Sequence, residues 1–354
     1  MITLHTWWKK SGVAYMSVCL ANLARKLGYN SNILSKDVHN VKVHDKWDKL
    51  VIPDTDSRAQ NILMSSKAVI WPELIWLDKV ILAKASKAST YLIPMWESIH
   101  RKDISNFGYY SSIVCPSIAT RECFKRQGIT NTTYIPYDPC VEKGKHKEFN
   151  ERDIRFLLPI AGGEPRRNVG FIMRIMGRIM QDYYNVKLTV TYLSARWPPS
   201  AGEDLLRLRI AFRDRLTVIH NQSYEDHLNT YRSHDLTLWP TDQEGLGIIG
   251  LESISCGTPV IAWDIPPINE YLTNGVNSIL LPCTVRHNWF GVVTACPDEK
   301  RFEDKLRGLI DKKEDLQALL NTTDGLPKEI SQRFVEGWSD LFKGDSHQKI
   351  TKEP

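Results

Sequence analysis

Short apolar runs rich in β-branched residues alternate with longer segments of helical periodicity along this chain. That alternation limits its folds more than any other feature. In the front half the runs are ITLHTW, NSNILS, KAVIWP, STYLIP, SSIVCPS and TTYIPY; in the back half they are IRFLLPIA, VKLTVTYL, LTVIHN, LTLWP, TPVIAWD and SILLP. Nearly continuous apolar strands suit a parallel sheet, because helical crossovers cover both of its faces. Between the runs lie helix patterns. In RNVGFIMRIMGRIMQDY, Ile172, Ile175, Met176, Ile179 and Met180 recur at the spacing of one helix face. Two such series predict an α/β chain of two doubly wound domains. The polar stretch CVEKGKHKEFNERD is the expected join. It divides residues 1–148 from residues 151–328, with a helix at about 329–343 packing back on the first domain and a disordered tail over 344–354.

The chain has 354 residues, with 42% apolar and 25% charged side chains. These values are ordinary for a globular protein. No stretch approaches the roughly 18 uninterrupted apolar residues of a membrane span. The start, MITLHTWWKKSGVAYM, lacks the pattern of a secretory leader. The 7 cysteines are scattered and form no Cys-x-x-Cys pair. We therefore expect reduced thiols and a cytoplasmic protein, with no disulfide framework and no zinc site. Residues 1–150 carry 21 Lys+Arg against 13 Asp+Glu, whereas the remainder carries 25 against 28. The front half is the basic half, which predicts an anionic partner on that side.

The densest candidate for chemistry is EGLGIIGLESISCGTPVIAWD, Glu244 to Asp264. It follows a predicted strand, LTLWP, at whose carboxyl end ligands gather in parallel sheets. Gly245 and Gly247 let the backbone turn tightly into a helix. The free N–H groups of Leu246, Gly247 and Ile248 at that helix start make a phosphate site. Glu244 just before them and Glu252 within the helix are acceptors suited to diols on either side of a phosphate. A nucleotide sugar has that layout, with Glu244 at the sugar and Glu252 at the ribose.

These residues, followed by Cys256-Gly257-Thr258-Pro259-Val260-Ile261-Ala262 and by Asn269-Glu270 before Asn274-Gly275-Val276-Asn277, resemble the retaining glycosyltransferases of family 4, the glycosyl transferases group 1. The resemblance covers residues 151–325 well and residues 1–150 loosely. It implies the GT-B architecture, two Rossmann-like domains facing across a cleft. It implies transfer of a hexosyl or pentosyl group from a UDP-, GDP- or ADP-sugar to an acceptor hydroxyl, with retention and without a metal or other cofactor. The family's Arg-x4-Lys after the first strand of the second domain stands here as IAGGEPRRN. Arg167 takes the Lys position and Gly162 the Arg position, with Arg166 as the substitute cation. By resemblance Glu244, Arg167 and His100 are the catalytic residues, with Glu97 a neighbour of His100. Gly12, Arg166, His220, Asn221, Leu246, Gly247, Ile248 and Glu252 bind the donor. His220, His227 and His234 recur every seven residues, which fits one solvated helix face better than metal ligands. Asp54-Thr55-Asp56 matches a metal–diphosphate motif of another transferase fold, but turn chemistry explains it more simply.

The donor domain leaves the basic first domain for the acceptor. Three acceptors fit: a hydroxymethylated base in DNA, tracked by lysines; a lipid-linked or cell-surface glycan at a membrane that the protein touches peripherally; and a soluble sugar. We place DNA modification first. From another class, a nucleotide-sugar epimerase or a non-catalytic sugar-nucleotide binding module uses the same fold.

Overall fold

The computed structural model describes residues 1–9, 11–36, 43, 46–73, 76–96, 99–142, 148–160, 165–192 and 199–344. They form two compact units, Met1–Cys140 together with the chain from Lys328 onward, and Val141–Pro327.

The first unit runs β1 (Ile2–Thr6), α1 (Gly12–Lys26), β2 (Ser31–Ser35), β3 (Val51–Pro53), α2 (Ala59–Ser65), β4 (Ala68–Pro72), α3 (Leu77–Ala85), β5 (Ser89–Ile93), β6 (Ser112–Cys115), α4 (Ile118–Arg126) and β7 (Thr132–Tyr134). Its strands form one parallel sheet in the order β3-β2-β1-β4-β5-β6-β7. The second unit runs β8 (Ile154–Ile160), α5 (Val169–Asp182), β9 (Val186–Tyr192), α6 (Pro199–Ala211), β10 (Leu216–His220), α7 (Tyr224–Arg232), β11 (Leu236–Trp239), α8 (Ile248–Ser255), β12 (Val260–Trp263) and β13 (Ser278–Leu281). These strands form a second parallel sheet, β10-β9-β8-β11-β12-β13. A hairpin, β14 (Thr284–His287) with β15 (Val293–Cys296), and helices α9 (Glu299–Asp311) and α10 (Lys313–Thr322) complete it. Finally α11 (Lys328–Lys343) belongs to the first unit, where Tyr91 Oη donates to the Leu341 carbonyl at 3.1 Å. The tail expected to be disordered lies, from residue 345, outside the described residues.

Each apolar run read from the sequence is a strand. β1, β4, β6, β8, β11 and β12 are buried along their whole length. That burial follows from helices on both faces. Ile172, Ile175, Met176, Ile179 and Met180 of α5 are all fully buried. Two features escaped the pattern. β3 is an apolar run of only three residues, Val51-Ile52-Pro53, cut short by the polar DTDS that follows, and every residue of β14 is exposed, so β14 carries no apolar signature.

Two expectations need correction here. Cys19 of α1 is joined to Cys140 as a disulfide, with Cα atoms 6.2 Å apart, so these two thiols are not free. Their separation of 121 residues left no spacing signal. The three histidines do not share a helix face: His220 ends β10, His227 lies in α7, and His234 follows α7, buried with Nδ1 2.6 Å from the Thr230 carbonyl.

Both sheets reverse direction of strand order beside their first strand, between β1 and β4 in one and between β8 and β11 in the other. Crevices beyond the carboxyl ends of strands at such points are where doubly wound sheets hold ligands.

Candidate functional site

β11 ends at Trp239, and Pro240–Gly247 carry the chain into α8. Gly247 caps the helix in the left-handed region, φ +79°. Only glycine fits there for a second reason as well. A Cβ on Gly247 would lie 1.9 Å from the Tyr271 hydroxyl and 2.9 Å from the Trp239 ring. Tyr271 Oη instead donates to the Gly247 carbonyl at 2.9 Å, fixing the turn from behind. Among the described residues no hydrogen bond uses the amides of Leu246, Gly247, Ile248 or Ile249. They are the orphan donors of a helix start, where the helix dipole also favours an anion.

The facing wall comes from the start of α5. Residues 161–164, including Gly162, lie outside the described residues. Arg166 and Arg167 form one 3-10 turn, and Asn168 caps α5 with φ +52°. This turn is bonded to the loop after β11. Asn168 Nδ2 donates to the Pro240 carbonyl at 2.8 Å, Asp242 N to the Arg166 carbonyl at 2.9 Å, and Arg166 Nη1 to the Gln243 carbonyl at 2.7 Å. Glu244, 5% exposed at its side chain, accepts from Arg167 Nη1 and lies 3.2 Å from Arg166 Nη1. Two cations at a helix start oppose its dipole; here the Glu244 carboxylate sits between them. The cluster of these three side chains keeps a net positive charge beside the orphan amides.

Asp242 lies at the rim of this cluster. Burial pushes its carboxyl up to about 6; Arg166 opposes the shift and Glu244 adds to it. One carboxyl oxygen, Oδ1, is buried without a hydrogen-bond partner.

Glu252 lies further along α8, 4% exposed. Tyr224 Oη donates to its Oε1 at 3.0 Å, and His227 Nε2 is 3.3 Å from its Oε2. Tyr224 and His227 are three apart on α7, hence on one face. An ionised carboxylate offers about four acceptor sites, so two contacts leave capacity for a ligand diol. His220 is exposed, its ring 4.5 Å from that of Tyr192, and the Asn221 amide donates to the Tyr192 carbonyl at 3.1 Å.

The structure therefore gathers Arg166, Arg167, Glu244, Leu246, Gly247, Ile248 and Glu252 within one unit, at the carboxyl end of β11 and the start of two helices. His100 and Gly12 belong to the other unit. His100 is exposed just before a 3-10 helix, Arg101–Tyr109, its amide donating to Asp103 at 2.9 Å. Gly12 opens α1 behind Ser11, whose hydroxyl accepts from the Ala14 amide. Glu97 lies outside the described residues. The sequence reading passed over Tyr224, Asp242 and Tyr271. Tyr224 stands three residues after Asn221, Asp242 two before Glu244 and Tyr271 one after Glu270, which was the available signal, but an aromatic near a motif is ordinarily core. Among the described residues no group of three His, Cys, Asp or Glu side chains could hold a metal ion, and no helix is long and apolar enough to cross a membrane. Asp56 instead pairs with Arg58 at 2.8 Å.

Residues 202–323 match the family model of the glycosyl transferases group 1. Over 117 residues the chain is 29% identical to the D-inositol 3-phosphate glycosyltransferase of Mycolicibacterium smegmatis, covering 31% of this chain and 27% of that protein. Over 120 residues it is 25% identical to the O-antigen chain mannosyltransferase RfbU of Salmonella typhimurium, covering 34% and 33%. The chain thus spans about a third or less of the length of these relatives. Among solved structures, Anabaena HepE in complex with UDP-glucose superposes with a TM-score of 0.70 at 12% identity, over 98% of this chain and 99% of that one. The pneumococcal O-GlcNAc transferase GtfA in complex with UDP and GlcNAc gives 0.73 at 10% identity, over 98% and 99%. The chain has the GT-B fold of two Rossmann-like units, and its second unit carries the segment shared with the glycosyl transferases group 1.

Proposed function

We propose that the protein is a retaining glycosyltransferase that moves a sugar from a nucleoside-diphosphate sugar to a hydroxyl of a glycan or polyol acceptor. One observation carries this reading. Two buried carboxylates, Glu244 and Glu252, flank a helix start whose amides have no described partner, with Arg166 and Arg167 beside it. The match of residues 202–323 to the group 1 family supports it.

In this reading the orphan amides and the two arginines hold the diphosphate. Glu252 takes the ribose diol and Glu244 the sugar hydroxyls. His100 of the first unit and Gly12 serve the donor sugar. During transfer the bond from the anomeric carbon to the acceptor oxygen forms as the bond to the phosphate oxygen breaks. The acceptor proton passes to a phosphate oxygen, and the nucleoside diphosphate leaves. Cationic groups and aligned amides stabilise the charge that grows on that phosphate. Water exclusion favours transfer over hydrolysis.

The relatives named for inositol 3-phosphate and O-antigen chain transfer support a glycan or polyol acceptor. Nothing comparable supports the hydroxymethylated DNA placed first from the sequence. The test is mass spectrometry of products from UDP-, GDP- and ADP-sugars offered with neutral and phosphorylated polyols, lipid-linked glycans and hydroxymethylated DNA. A glycan or polyol gaining one sugar is the expected product. Sugar on DNA would reverse the acceptor assignment, and donor converted without acceptor would indicate an epimerase. We also expect full turnover in a chelator; loss restored by manganese would bring Asp54 and Asp56 back as metal ligands.

A further inference from the structure

The first unit's sheet reverses its strand order between β1 and β4, and the side chains gathered at that carboxyl edge have no role in the donor site. Trp7 follows β1 and Trp76 precedes α3; both indoles are partly exposed, with ring centroids 5.9 Å apart. The ammonium groups of Lys9 and Lys36, from the ends of β1 and β2, lie 6.0 and 5.6 Å from the Trp7 ring. Neither lysine has a carboxylate partner among the described residues, whereas Lys79 pairs with Asp78 at 3.6 Å.

Beneath the tryptophans His5 is fully buried, its ring 4.1 Å from that of Trp76. Its Nδ1 accepts from Trp71 Nε1 at 3.1 Å. Burial, and then the charges of Lys79 and Lys36, push the imidazole down to about 3, so it is neutral. The proton therefore sits on Nε2. That buried N–H makes no hydrogen bond, and Asp54 Oδ2, 12% exposed at the side chain, stands 3.5 Å away at the end of β3. Indoles present an apolar face that stacks on the C–H face of a sugar ring. A carboxylate accepts from sugar hydroxyls, and paired ammonium groups take an anion.

We propose that this edge is a binding site for a saccharide or polyol carrying a phosphate or carboxylate. Trp7 and Trp76 pack against the ring, Lys9 and Lys36 take the anionic group, and Asp54, backed by His5, takes a hydroxyl. As the acceptor subsite it rests on the transferase reading above. A crevice at a sheet switch point suits a ligand of this size, whereas a nucleic acid needs a basic track that follows many phosphates.

Isothermal titration of the full chain tests the site. The probes are glucose 6-phosphate against glucose, inositol 1-phosphate against inositol, glucuronate against glucose, inorganic phosphate, and a single-stranded oligonucleotide. At least one anionic saccharide should bind about fivefold or more tightly than its neutral parent, the scale of two exposed charge contacts. The Lys9→Ser/Lys36→Ser variant, changed only at exposed positions, should lose that preference while binding the neutral parent as before. Trp76→Phe should weaken both members of the pair.

Equal binding of anionic and neutral saccharides overturns the inference, as does a preference that survives in the double variant. So does inorganic phosphate binding as tightly as the sugar phosphate. An oligonucleotide that outbinds every saccharide, with an affinity falling steeply with salt, makes this a nucleic-acid surface instead. UDP-, GDP- and ADP-sugars titrated into the same wild-type protein separate the two readings. Donor binding without the saccharide preference overturns this site alone. The preference without donor binding overturns the transferase reading.

Discussion

Glu252 is a carboxylate inside a helix that is buried on nearly every side, a position that is costly unless both oxygens are engaged. Tyr224 and His227 meet that need from α7. If Glu252 also holds the ribose, Glu252→Ala should weaken nucleotide binding by about 1.5–3 kcal/mol, the worth of hydrogen bonds to a charged group. Equilibrium dialysis measures this, and unchanged affinity removes the ribose role. Asp242 gives a pH prediction. Its folded carboxyl titrates near 6, above the ordinary 3.8. Between those values the native state keeps a proton that the unfolded chain has lost, so stability falls as pH rises through that window. The group is half-exposed and screened, so the fall is about 1 kcal/mol. Denaturant titrations at several pH values should show it in the wild type and not in Asp242→Asn. Glu244 and Glu252 were legible because two glycines and a Cys-Gly-x-Pro stand around them. Asp242 was not, because its shift comes from burial and from neighbouring charges.

The loop between β11 and α8 shows how a local motif becomes a positioned element. Sequence alone gave a reason for a glycine, the tight turn with close ligand approach. The fold adds another, because Tyr271 and Trp239 fill the space behind Gly247. A Gly247→Ala change meets both the left-handed backbone and the Tyr271 hydroxyl. It should cost about 1–3 kcal/mol of stability and displace the orphan amides. Thermal melts and nucleotide titration should therefore fall together. A melt that falls alone would detach these amides from the ligand. The parallel strands were legible because apolar run and buried strand are the same fact. The short β3 and the hairpin were not, because β3 has only three residues and β14 buries none of its side chains; the Cys19–Cys140 pair was not, because its partners are 121 residues apart.

Across the second unit, the candidate site and a buried ion pair lie at opposite ends of the sheet. At the amino end of β8, Asp235 is fully buried; it accepts from the Arg155 amide at 2.7 Å and pairs with its guanidinium. Removing one partner strands a buried charge, so Asp235→Ala should lose about 3–5 kcal/mol. Nucleotide affinity of the remaining folded protein should be unchanged, measured by chemical denaturation and titration side by side. The carboxyl ends of β8 and β11 hold the arginine–carboxylate cluster, as the doubly wound pattern predicts. The acceptor was the least legible part. Charge asymmetry between the halves says only that an anion is welcome, and the side chains of the proposed acceptor edge meet only after the first sheet has folded. The cradle in the second unit is proposed to bind a nucleoside diphosphate. The most direct measurement is calorimetric titration of UDP, GDP and ADP into the wild type and into Arg167→Ala. At least one of them should bind the wild type and bind the variant about tenfold or more weakly, as for loss of a charge-assisted contact to phosphate. Absence of binding by all three, or equal affinity in the two proteins, would contradict it.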